Sequence, residues 1–111
     1  CWFDDSKINP EDVAMNNDFW NREGNIHAAF LLAGRGQFPD TTEFTKISCP
    51  TLIVWGKEDE IVPFYHAEKF HRDIQNSTVI TYEKCGHVPM IENPVQLEKD
   101  VLAFLKYNIL R

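Results

Sequence analysis

Residues 51–94 carry a strand, helix, strand pattern that leaves the chain few ways to fold. Thr51-Leu52-Ile53-Val54-Trp55 is apolar without alternation, the composition of a strand covered on both faces of a parallel sheet, and Gly56 stops it. After the polar loop Lys57 to Ile61, Pro63 suits the first turn of a helix that carries Ala67, Phe70 and Ile74 at helical spacing and ends near Asn76. Ser77 to Glu83, β-branched and aromatic, makes the second strand. A run of this length forms a right-handed crossover, so the strands are predicted to lie parallel, with the loops that follow them on one edge of the sheet. Those loops hold Asp59, in Gly56-Lys57-Glu58-Asp59, and His87, in Gly86-His87-Val88-Pro89.

A histidine that works as a general base must be held in one tautomer by an acceptor on its other ring nitrogen, and a carboxylate also stabilises the imidazolium that forms. Asp59 is placed to be that acceptor. Gly86 permits a tight backbone before His87, and Pro89 stiffens the loop after it. The competing readings are a loop histidine bonded to backbone and an aspartate capping the helix near Pro63. The meeting of both motifs at one sheet edge favours the pair.

Downstream, Asn93-Pro94 opens a helix to about Asn108 with Leu97, Val101, Leu102 and Leu105 as its buried stripe. Upstream, Asn9-Pro10-Glu11-Asp12 combines a cap, a first-turn proline and two acids that complement the helix dipole, which predicts a helix to about Arg22. Its apolar residues Val13, Met15, Phe19 and Trp20 make no continuous stripe, as in a helix covering something partly open. Gly24-Asn25 breaks it, and a second helix over Ile26 to Ala33 ends at Gly34 and Gly36. Gln37 to Cys49 reads as a connector, and the boundary falls there: a helical segment over 1–45, an α/β segment over 46–111.

Charge narrows the partners. Eleven Lys and Arg against 17 Asp and Glu give a net charge of −6 without a basic run, which argues against nucleic acid and anionic membrane. No apolar run approaches the roughly 18 residues of a transmembrane helix, and no signal-peptide pattern occurs. Cys1, Cys49 and Cys85 form no C-x-x-C spacing and suit free thiols in a reducing compartment, so the cytoplasm is expected. A chain that begins with Cys1 leaves localisation open on the N-terminal side.

Pro50-Thr51-Leu52-Ile53-Val54-Trp55-Gly56-Lys57-Glu58-Asp59, followed at the matching distance by Gly86-His87-Val88-Pro89-Met90-Ile91-Glu92-Asn93-Pro94, resembles the C-terminal part of an α/β-hydrolase fold enzyme. The resemblance implies an α/β fold, the βαβα end of a parallel sheet, preceded over 1–45 by helices similar to the end of a cap domain. It implies Asp59 as triad acid and His87 as triad base, with no cofactor and no metal. The family's order is nucleophile, acid, base, with the nucleophile on an upstream G-x-S-x-G elbow. Ser6, Ser48 and Ser77 have no such context. The expectation is therefore an incomplete domain, a C-terminal fragment inactive alone, whose partner is the missing N-terminal core of the same protein.

The parent reading is an esterase-like serine hydrolase acting on an ester, amide or carbon–carbon bond of a small, partly apolar molecule. An aspartate nucleophile, as in relatives similar to epoxide hydrolases and haloalkane dehalogenases, keeps the fold and uses His87 to activate water. A third possibility is a non-catalytic remnant whose unpaired strand edge invites association. Glu92 is expected to be structural, stabilised by the helix start after it. His66 and His71 stand about 140° apart on a helix and do not converge on a metal. Cys85 reads as packing at a strand end. Trp2, Phe3, Phe19, Trp20, Phe30 and Phe38 are either core or the wall of an apolar pocket.

Overall fold

A computed structural model describes residues 3–34 and 41–108 and divides the chain into two compact units, residues 6–40 and residues 1–5 with 41–111. The smaller unit is a pair of helices, α1 (Pro10–Asn21) and α2 (Asn25–Gly34). Asn9 caps α1 by accepting the Glu11 N–H at 2.9 Å, and Pro10, Glu11 and Asp12 fill the first turn. The chain reverses at Gly24, whose φ of +85° is open to glycine, and the Asn25 side-chain amide donates to the Phe19 carbonyl at 2.7 Å. Phe19, Trp20, Ile26 and Phe30 are all exposed, and Trp20, Ile26, Ala29 and Phe30 line an apolar hollow of about 330 Å³.

The larger unit contains the crossover. Strand β1 (Thr51–Gly56), helix α3 (Tyr65–Asp73) and strand β2 (Ser77–Tyr82) follow in order, and the strands pair in parallel from Thr51 against Ser77 to Gly56 against Tyr82. Ile53, Ala67, Ile74, Tyr82 and Cys85 are its buried apolar residues; each large one contributes roughly 1.5–3 kcal/mol. Beyond β2 come a single turn, α4 (Pro89–Glu92), and the long α5 (Pro94–Asn108). The Tyr82 hydroxyl donates to Asp100 at 2.7 Å and ties the end of β2 to α5; burial, and then the neighbouring carboxylate, push the Tyr82 pKa above its ordinary value.

Several expectations are corrected. Residues 41–46 form a 3-10 helix rather than a structureless connector, because Phe44 packs edge-on against Phe70 with ring centroids 5.1 Å apart. Within β1 only Ile53 and Gly56 are buried, since the sheet among the described residues has two strands and covers β1 from one side. Helix α3 begins at Tyr65, two positions after Pro63, and the residues just before that proline, Ile61 and Val62, are held in a turn by the side chain of Asp59. Leu102 is 58% exposed: the α5 stripe runs through half-buried Leu97, Val101, Phe104 and Leu105 instead.

Candidate active site

The two loops that leave the strands are laced together by backbone. Lys57 N–H donates to the Tyr82 carbonyl at 3.0 Å, extending the ladder past the strands, and Glu58 N–H donates to the Cys85 carbonyl at 3.1 Å. The Glu58 carboxylate returns the bond by accepting Cys85 N–H at 3.1 Å. Lys57 and Glu83 form an ion pair on the outside. The loops approach so closely that a Cβ on Gly56 would collide with the carbonyl oxygens of Cys85 and Gly86, which is why glycine ends this strand. Lys84, at φ 53°, turns the chain from β2 into the second loop.

Asp59 is 8% exposed and uses both oxygens. Its Oδ1 accepts the N–H groups of Ile61 and Val62, each at 2.9 Å, which folds the loop back as a short aspartate turn. Its Oδ2 lies 2.8 Å from His87 Nδ1. The helix-capping reading of Asp59 is not met, since α3 starts at Tyr65 after Phe64 without a side-chain cap; one oxygen of Asp59 serves the loop's own turn and the other the pairing with His87. With a carboxylate at Nδ1, that nitrogen carries the proton and donates, and Nε2 is left with its lone pair. The His87 side chain is 40% exposed and, with Val54, Trp55, Gly56, Pro89 and Met90, lines a cleft of about 160 Å³. A ring anchored on its inner nitrogen and open on its outer one can take a proton from a group entering that cleft.

Burial acts to raise the Asp59 pKa, but the bonds from Val62 N–H, the His87 ring and Ile61 N–H, with the ring's charge, outweigh it and hold the carboxyl below its ordinary value. A depressed folded-state pKa stabilises the protein above the unfolded value, about 3.9, and that contribution disappears as pH falls through the lower folded value. The stability difference between the unmodified protein and Asp59→Asn should therefore be constant near neutrality and shrink below about pH 4. Denaturant titrations at several pH values measure it; a gap unchanged down to pH 3 would refute the assignment.

Glu92 is 3% exposed and does not serve the start of α5, as its sequence position suggests. It ends α4 and turns inward, with Oε1 accepting Gly86 N–H at 2.9 Å and Val88 N–H at 3.4 Å, and Oε2 accepting Phe3 N–H at 2.8 Å. Sequence reasoning missed this contact and that of Glu58; the only signal for Glu92 was a carboxylate four residues after Val88, at reach of one helical turn. Cys85 is fully buried and fits a packing role. His71 lies on the surface with Nδ1 2.8 Å from the Ser77 hydroxyl, and the described residues contain no cluster of side chains able to hold a metal ion. No helix among them is long and apolar enough to cross a membrane. Phe3 is 47% exposed, while Trp2 and Phe38 lie outside the described residues.

Residues 1–94 match the α/β hydrolase fold, and the chain belongs to that family. Over 102 residues it is 40% identical to the 2-hydroxy-6-oxo-6-(2'-aminophenyl)hexa-2,4-dienoic acid hydrolase of Metapseudomonas resinovorans, covering 92% of this chain and 35% of that protein. It is 38% identical over 60 residues to the monoacylglycerol lipase ABHD6 of Mus musculus, covering 54% of this chain and 18% of the lipase. Among solved structures, a serine hydrolase involved in carbazole degradation, the CarC enzyme, superposes with a TM-score of 0.78 at 30% identity, covering 90% of this chain and 41% of that one. The chain thus spans about a third of the length of the first of these relatives.

Proposed function

We propose that this chain supplies the acid and the base of a serine hydrolase, with Asp59 as the acid, His87 as the base, and a nucleophile and oxyanion hole supplied from outside it. The observation that carries the reading is the 2.8 Å bond between Asp59 Oδ2 and His87 Nδ1 at the lip of an open cleft. The nucleophile hydroxyl gives its proton to His87 Nε2 as its oxygen attacks the substrate carbonyl. The imidazolium, steadied by Asp59, then returns the proton to the leaving group. A water repeats the sequence on the acyl intermediate. Ser48 and Ser77 support an outside nucleophile: both sit by the start of the strands, and His87 lies beyond their far end.

The likeness to a serine hydrolase favours a serine over an aspartate nucleophile. Val54, Trp55 and Met90 beside His87 suit a partly apolar substrate, and the relatives named for a dienoic acid and for monoacylglycerol bracket the class: a small molecule with a carbon–carbon bond or ester next to a carbonyl. No metal or other cofactor takes part in this chemistry. The complete protein should hydrolyse a short p-nitrophenyl ester or a 2-hydroxy-6-oxodienoate, at a rate unchanged by a chelator. A folded complete protein that turns over neither, or loses activity to the chelator, would count against the reading.

A further inference from the structure

The direction of the His87 ring depends on what fixes the backbone beneath it, since Gly86 has no side chain to pack. In α4, Ile91 and Glu92 N–H both return to the Val88 carbonyl, at 2.8 and 2.9 Å, and this turn swings the Glu92 carboxylate back under the loop. There Oε1 holds the N–H groups of Gly86 and Val88, the residues on either side of His87, and Oε2 holds Phe3 N–H. A buried carboxylate is costly unless its hydrogen bonds repay it, and amides left without it would be costly too. On the other side, Glu58 fixes Cys85 N–H.

We propose that Glu92 is the positioning residue of the base: by gripping the amides that flank His87, it sets the ring so that Nδ1 meets Asp59 at hydrogen-bond distance. The proposal rests on His87 being the base and adds the group that aims it. Glutamine at this position keeps the volume and one oxygen, but its NH₂ must face an N–H donor on one side or the other, so the grip loosens without opening a cavity.

The test is Glu92→Gln in the complete protein, with 15N-labelled histidine. The His87 Nδ1–H resonance should broaden or shift, kcat should fall about 10–100-fold, and KM should stay within about twofold, as for a displaced catalytic group. Should that variant not fold, Glu92→Asp, with the charge retained and the reach shortened by one methylene, should show the same ring change. An unaltered ring resonance in either folded variant overturns the proposal. So does failure of both to fold, which would make Glu92 a support of the fold as a whole. The ring is read without substrate, so this outcome is separable from that of the base assignment, which fails if His87→Ala retains turnover.

Discussion

His87→Ala in the complete protein should lower kcat on the order of 10⁶-fold while leaving the fold intact. The size of the loss follows from the ring's two jobs. On the proposed mechanism, losing Nε2 removes the base that takes the nucleophile's proton, and losing the imidazolium removes the acid that returns it to the leaving group, so attack and departure both lose their assistance. The fold should survive because the side chain is 40% exposed and its hydrogen bond goes to a carboxylate whose other oxygen is already satisfied by Ile61 and Val62. Steady-state turnover with an unfolding curve on the same sample checks both parts. Turnover within tenfold of the unmodified protein would remove His87 from the mechanism.

Asp59→Asn should cost about 10⁴-fold in kcat by a different route. The amide oxygen can still accept Ile61 and Val62 N–H, so the loop is kept. The NH₂ then faces His87 Nδ1 and donates to it, which forces the ring's own proton onto Nε2. A ring protonated on its outer nitrogen cannot take a proton from the nucleophile, and the positive ring, if formed, has lost its carboxylate. The deficit should therefore be in kcat, with KM little changed and the protein folded. Turnover close to normal would mean that another acceptor orients the ring.

Much of this was legible in the residues. The unalternating run Thr51–Trp55, the stop at Gly56 and the β-branched run from Ser77 place two parallel strands within one residue of where they lie, because the composition typical of parallel strands is itself the signal. From that crossover the proximity of Asp59 and His87 follows by topology. What was not legible depends on contacts distant in sequence. Phe44 orders the 41–46 turn by reaching Phe70, and Glu92 serves Gly86 and Phe3 rather than the helix after it. No periodicity encodes such contacts, since each is a single side chain answering an unpaired backbone group or an open apolar face. The exposure of Leu102 shows the same limit: spacing defines a stripe about 100° wide, and only the packed neighbour decides which edge of it is covered.

The central claim is that His87 activates a serine held outside this chain. The most direct measurement is the rate at which the complete protein is modified by a fluorophosphonate, read by intact and peptide mass. The account predicts one adduct, on a serine other than Ser6, Ser48 and Ser77, formed rapidly in the unmodified protein and at least about 10³-fold more slowly in His87→Ala. Equal rates in the two proteins, or an adduct on one of those three serines, would contradict it.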